Sequence, residues 1–290
     1  MNRRLYACAA VFAVAACAAR TTPPASPAPA QVGAAAPVAA PVVPVAPPAL
    51  RYTAGTNHYR IESQTHIEQE VMGQSTRVDV STAAMLTVAV AEAADNLGVG
   101  ITIDSLAITT PAGGPSAADL AAVKGQTVRL VTSKQGQTIS VTPPDSAPPI
   151  VQGIVQGFRE FLPQLPSGSP AAGTTWTDSS STTTPTQAGP ATLRMAREHR
   201  VVGWEDHGGT RALHVATTAT YTLSGSGETQ GQTIEFSGSG QRTADAFISA
   251  AGVYLGGTTS DSSLVNANVV SAGIVVPVRS VTHGTYTRLP

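Results

Sequence analysis

The sequence predicts a mainly β chain: antiparallel meander repeats forming a curved sheet or incomplete barrel, with one or two short helices. Three observations lead there. From Asn57 onward apolar and polar residues alternate over long runs, the period of strands with one wet face. Glycine-bearing turns separate those runs at hairpin spacing. Aromatic residues make up only 4% of the chain, so a core must come mostly from Val, Ala, Ile and Leu, and the abundance of Thr, Ser and Gly favours strands and turns over long helices.

The chain opens with Arg3 and Arg4 and an apolar run from Leu5 to Ala16. A run of about a dozen residues is too short to cross a bilayer of roughly 30 Å as a helix but suits the h-region of a signal peptide. It ends Val14-Ala15-Ala16-Cys17, which resembles the lipobox of bacterial lipoproteins. That resemblance implies a signal peptide over 1–16 and lipidation of Cys17 as the new N-terminus. A thiolate is the side-chain nucleophile that takes a lipid as a stable thioether, and two or three acyl chains make a lasting anchor where one is marginal. By the usual sorting pattern of such lipoproteins, Ala18 in place of an Asp after the cysteine implies release to the outer membrane, and the domain is expected to face the periplasm. Cys8 lies in the leader, so the mature chain has no cysteine left for a disulfide.

Thr21 to Pro48 is almost wholly Pro, Ala, Val and small polar residues, a linker of extended polyproline character that completes a tether over 17–50. The β-rich domain is expected over 51–290, in two repeats of about 51–146 and 174–290. In the first, Tyr59, Ile61, Ile67 and Val71 share a parity, and a Gly73-Gln74-Ser75 turn pairs Val71 with Val78, Ile61 with Val88 and Tyr59 with Val90. The loop Asp95-Asn96-Leu97-Gly98, its glycine at positive φ, leads to a strand through Val99, Ile101 and Ile103. The preceding strand is apolar on both faces near Ala83 to Ala91, which predicts a cover on both sides. Ser116 caps a short helix Ala117 to Lys124 ended by Gly125.

The second repeat follows the same scheme. A His207-Gly208-Gly209 turn sets Met195 opposite Tyr221 and Leu193 opposite Leu223, and Glu228-Thr229-Gln230-Gly231 sets Leu223 opposite Phe236. The turns Ser133-Lys134-Gln135-Gly136 and Ser249-Ala250-Ala251-Gly252 correspond, so the halves read as a duplication. The alternative architecture is two separate small sandwiches.

Between the repeats, Ile150, Val151, Ile154, Val155, Phe158, Phe161 and Leu162 recur at helical spacing, predicting an amphipathic helix over 150–162. Too short to persist alone in water, it must lie on something. Ile150, Ile154, Val155, Phe158 and Phe161 are candidate lid residues over the apolar face of the sheet. Phe161-Leu162-Pro163 followed by Gly173-Thr174-Thr175-Trp176 is similar to a family of uncharacterised bacterial secreted and lipid-anchored proteins built from paired β-repeats. That resemblance implies the architecture and adds no chemistry.

No catalytic, cofactor or metal motif stands out. The hairpin register puts His199 on the apolar face opposite Thr217 and His214 on the other face, with His207 in the turn. No histidine pair has the spacing of a strand or helix metal site. No serine lies in a nucleophile motif. The Glu205-Asp206-His207 run reads as a solvated hairpin end, and Trp176 and Trp204 as packing residues. With 17 Lys and Arg against 18 Asp and Glu, and no basic cluster, nucleic acid is not an expected partner. The expected function is non-enzymatic: an envelope lipoprotein binding an apolar or amphiphilic ligand, or another envelope component, in the concavity of its sheet. The alternative is a structural or protein-interaction module of the envelope.

Overall fold

The computed structural model describes residues 49–71, 73–111, 114–144, 154–155, 157–186, 189–229 and 231–290. Cys17, the leader, the linker up to residue 48, and Ile150 of the candidate lid lie outside them. The described residues form one antiparallel sheet of eleven strands. They are β1 (Gly55–Val71), β2 (Gln74–Ala93), β3 (Asn96–Thr109), β4 (Thr127–Ser133), β5 (Thr138–Thr142), β6 (Thr175–Thr186), β7 (Gly189–His207), β8 (Thr210–Thr229), β9 (Gln232–Ser249), β10 (Tyr254–Val269) and β11 (Ile274–Arg288).

Their order is β5-β4-β3-β2-β1-β11-β10-β9-β8-β7-β6, a meander whose ends meet in the middle where β1 pairs with β11 from Tyr59↔Arg288 to Gln69↔Val278. The seam joins the two expected repeats into one curled half-barrel and excludes two sandwiches. A helix α1 (Ala117–Val123) follows β3, capped by Ser116 and Asp119 in a reciprocal capping box and followed by Gly125 at φ +81°.

Curvature has a local cause. Inward-facing Gly240 and Gly225 sit under aromatic rings, where an added Cβ would come within 2.3 Å of the Tyr221 and Phe236 rings respectively. Missing side chains there let the sheet close over those rings. Bulges at Val202 and Leu255 sharpen the bend.

The inner face carries the core. Tyr59, Leu86, Val88, Val99, Ile101 and Val128 from the first half meet Val201, Leu213, Val215 and Ile248 from the second, all nearly inaccessible to solvent. The segment between the halves lies on this face. Residues 154, 155, 157 and 158 are helical, and Val155, Phe158, Phe161, Leu162 and Leu165 are buried in the same cluster. The helix is shorter than expected among the described residues: the chain turns at 159–160, and Phe161 and Leu162 are delivered by a bend. The outer face of β1 is polar, with His58, Arg60, Glu62, Gln64, His66, Glu68 and Glu70, whereas β10 and β11 expose Leu264 and Val275 there.

The turns Ser133 to Gly136 and Ser249 to Gly252 are the same device: each serine carbonyl accepts from the glycine N–H at 2.9 Å, and each serine hydroxyl accepts from the backbone N–H four residues on at 3.1 Å. Other turns differ from expectation. The first hairpin closes Val71↔Gln74, so Ile67 faces Val78 and Ile61 faces Ala84, four residues from the expected pairing. The next turns at Ala94 and Asp95, with Ala94 at φ +52°, and Gly98 is an ordinary strand residue. The turn after β8 closes Thr229↔Gln232, so Leu223 faces Gly238 and Phe236 faces Gly225. In each case a tight two-residue turn replaces a longer one. These slips are even-numbered and leave the buried parity unchanged. The expected pairs Met195↔Tyr221 and Leu193↔Leu223 are present, with the bulge at Val202 taking up the residue that the tighter turn omits. The outer face of β2 is not covered: Ala83, Ala89 and Ala91 are exposed, and their methyl groups ask for no partner.

Candidate functional site: an ionic row on the inner face

Register places one row of inward residues across β6 to β11 and on to β1: Asp178, Arg197, Ala219, Arg242, Asp261, Thr282 and Thr65. Charge runs acid, base, gap, base, acid. These charges sit on the inward parity among buried apolar and hydroxyl side chains, where an unpaired charge would be costly. Here each is paired. Arg197 Nη1 donates to Asp178 Oδ1 at 2.6 Å and Nη2 to Ser180 Oγ at 3.2 Å. Arg242 Nε donates to Asp261 Oδ2 at 3.1 Å, and the Tyr221 hydroxyl donates to Asp261 Oδ1.

Glu160 closes the row from above. It follows the helical turn of the covering segment, and its two oxygens are split between the arginines, Oε1 to Arg197 and Oε2 to Arg242. Burial alone would raise the Glu160 pKa, but Arg242 and Arg197 outweigh it and hold the carboxyl below its usual range. Asp178 is likewise lowered: burial pushes it up, and the bonds from His199 and Arg197 more than offset that. Asp261 goes the other way. It has no exposed surface, and its desolvation exceeds what Arg242 and Tyr221 return, pushing its pKa up from 3.8 to about 7.

The row continues into hydroxyls and rings. His199 is buried where the sequence places it, Nδ1 against Thr217 Oγ1 at 2.9 Å and Nε2 against Asp178 Oδ2 at 3.0 Å, with Trp176 stacked on its ring at 5.0 Å. The Trp176 indole N–H is buried with no acceptor among the described residues. His207 and His214 lie apart from it, both against Phe247 on the outer face. Among the described residues no three His, Cys, Asp or Glu side chains are grouped to hold a metal.

Of the candidate lid residues, Val155, Phe158 and Phe161 are brought together on the core and Ile154 packs against it half-buried. Phe161 enters a cage of Tyr59, Tyr254 and Tyr286 with ring separations of 5.1, 5.7 and 6.3 Å. The segment is tied down at few points: Pro163 O accepts from Tyr52 Oη at 2.7 Å, Arg159 O from Thr138 Oγ1 at 2.5 Å, and Leu165 N donates to Gln135 O at 2.8 Å.

Sequence reasoning found His199 and the covering segment but missed Glu160, Asp178, Arg197, Arg242 and Asp261. The available signal was charge at inward parity, Arg197 between Met195 and His199 and Arg242 two residues before Ala244.

No family model and no curated protein matches the sequence. Solved structures align with the chain at low identity. OccK2 (OpdF) of Pseudomonas aeruginosa aligns over 81% of this chain and 98% of its own at 8% identity, with a TM-score of 0.29. A Bacteroides fragilis protein with a YmcC-like fold aligns over 83% and 100% at 11% identity and a TM-score of 0.25. A DUF1329 family protein of Desulfovibrio piger aligns over 79% and 83% at 9% identity and a TM-score of 0.17. At these scores no role passes from them to this chain.

The opposite face carries a different feature. A hollow of about 1110 Å³ opens there, and one of its cross-strand rows is Ser181, Arg194, Thr222, Ser239, Leu264 and Arg279. It is a hydroxyl-rich surface bracketed by two arginines, unlike the apolar outward band of a membrane barrel.

Proposed function

We propose that this chain is a non-enzymatic lipoprotein, anchored through Cys17 to the outer membrane and facing the periplasm, that binds an apolar or amphiphilic ligand on the inner face of its sheet. The observation behind this reading is the covering segment. The apolar bed is filled by Val155, Phe158, Phe161, Leu162 and Leu165 of a short stretch outside the strand ladder, held by a handful of hydrogen bonds and by Glu160. Such a stretch opens at lower cost than a strand, and what it leaves behind is an apolar trough. Native mass spectrometry of the purified chain after incubation with mixed lipids tests the reading. A bound amphiphile is expected, and none bound at any lipid concentration refutes it.

A second reading, a structural or protein-interaction module of the envelope, draws on the outer hollow. Its rows of serine and threonine and its two arginines suit a polar partner. Cross-linking in intact cells through a residue placed at Thr222 separates the two: one dominant protein adduct favours the module.

A further inference from the structure

We propose that Arg197 and Arg242 form an anion site for the headgroup of a single-chain amphiphile, carboxylate or phosphate, and that Glu160 occupies it here as the chain's own substitute. The inference rests on the reading that residues 154–165 can be displaced.

Three features carry it. The first is the arrangement of the arginines. They come from β7 and β9, with Ala219 of β8 between them in the same row, so their Cα positions lie roughly 9–10 Å apart, two strand spacings. Ala219 contributes only a methyl group, which leaves room above it for an oxyanion. Both guanidinium groups reach that space, and each takes one oxygen of a single carboxylate. A phosphate monoester or a fatty carboxylate offers the same pair of oxygens.

Second, the two arginines differ in how far the sheet itself neutralises them. Arg197 has Asp178 and Arg242 has Asp261 as partners within the sheet itself. Asp178 stays ionised beside Arg197. Asp261, pushed up to about 7, carries a proton over much of the pH range, and Glu160 is the main counter-charge of Arg242. The strands alone therefore leave a net positive site with unused guanidinium donors facing inward. One position along, the Trp176 N–H adds a buried donor with no acceptor among the described residues.

Third, the occupying segment has the layout of an anionic amphiphile. Glu160 puts a carboxylate on the arginines, and the next residue, Phe161, fills the cage of Tyr59, Tyr254 and Tyr286. A ligand whose charged head joins directly to an alkyl chain meets the same two surfaces in the same order.

The test uses the full-length chain in its unacylated Cys17→Ala form and titration calorimetry with three probes: decyl phosphate, decanol and inorganic phosphate. Glu160→Gln removes the internal competitor while keeping its shape. It should bind decyl phosphate about ten- to a hundredfold more tightly than the parent, the factor expected of one or two charge-assisted hydrogen bonds, and bind decanol as the parent does. Adding Arg242→Gln should return decyl phosphate to the parent's affinity. If that double variant does not fold, the gain of Glu160→Gln must instead shrink in about 0.5 M salt, where exposed and entering charges are screened. Equal affinity of Glu160→Gln and parent for decyl phosphate overturns the anion site, and decanol binding in that case leaves the broader ligand reading standing. Inorganic phosphate binding as tightly as decyl phosphate overturns the amphiphile assignment. No binding of either decyl compound by any variant overturns the anion site and the ligand reading together.

Discussion

Replacing Asp261 by asparagine should flatten the pH dependence of stability between pH 5 and 8. Asp261 has no solvent-exposed surface and sits between Tyr221 and Arg242 in the middle of the inner face. Its carboxyl titrates near 7 in the folded chain against 3.8 when exposed. Between those values the folded state holds a proton that the unfolded state has released, so stability falls as pH rises. The contribution is complete below about 3.8 and is lost as pH climbs through about 7. Over pH 5 to 8 the loss comes to about 2–3 kcal/mol, at about 1.4 kcal/mol per pH unit with the slope fading above 7. Glu160 and Asp178 are both lowered, so their stabilisation is present above the ordinary carboxylate range and lost only in acid, outside this window. Urea unfolding of the full-length Cys17→Ala chain at pH 5 and pH 8, with and without Asp261→Asn, measures the difference. An unchanged slope in the asparagine variant would refute the reasoning, because it would mean that Arg242 keeps Asp261 ionised throughout.

The remaining predictions are simpler. Phe158→Ala should cost clearly less than the roughly 3–5 kcal/mol of an ordinary core phenylalanine if the segment opens, and amide exchange at 154–161 should run faster than in β8 and β9; protection equal to those strands would make the segment permanent core. Gly240→Ala should lower stability by about 1–3 kcal/mol, since the new methyl group meets the Tyr221 ring, and a neutral result in thermal melts would show that the ring moves aside freely. Cys17→Ser should abolish incorporation of radiolabelled acyl chains and leave the leader uncleaved; an unlabelled wild type with the same membrane fractionation as the mutant would remove the anchor.

Much of the architecture was legible because a strand's face is written in parity. Tyr59, Leu86 and Val99 could be assigned to the buried side from alternation, and the hairpin register did the same for His199. The glycine turns at Gly136 and Gly252 were legible for the same kind of local reason, a positive φ that only their residue type takes readily. Turn length was not legible where the turn lacked its usual residues. Ala94 adopts φ +52° in a two-residue turn, and nothing in Ala94-Asp95 announces it against the nearby Gly98. The covering segment was half legible: its apolar spacing marked a buried stripe, whereas the bend at 159–160 that aims Glu160 away from Phe161 depends on the surface it meets.

That difference between parity and register also explains why the ionic row stayed hidden. Parity alone is enough to put Arg197 and Arg242 on the inner face, but only as two isolated oddities. The expected turn after β8 set Leu223 opposite Phe236, which puts Ala219 opposite Gly240 and slides Arg242 one inward position away, opposite Thr217. A slip of two residues moves a side chain by roughly 7 Å along the strand, further than a carboxylate can bridge. The observed pairing of Leu223 with Gly238 brings Arg242 level with Ala219, and β7 brings Arg197 level with the same residue. Only then do two arginines flank one alanine, and only then can one carboxylate satisfy both. The apolar core tolerates a two-residue slip because one branched side chain substitutes for another; the charged row does not, since each misplaced arginine would be a buried, unpaired cation. The paired charges therefore do for register what alternation cannot, and a variant with Arg197 and Ala219 exchanged for one another should lose the single register of β7 and β8 before it loses its strands.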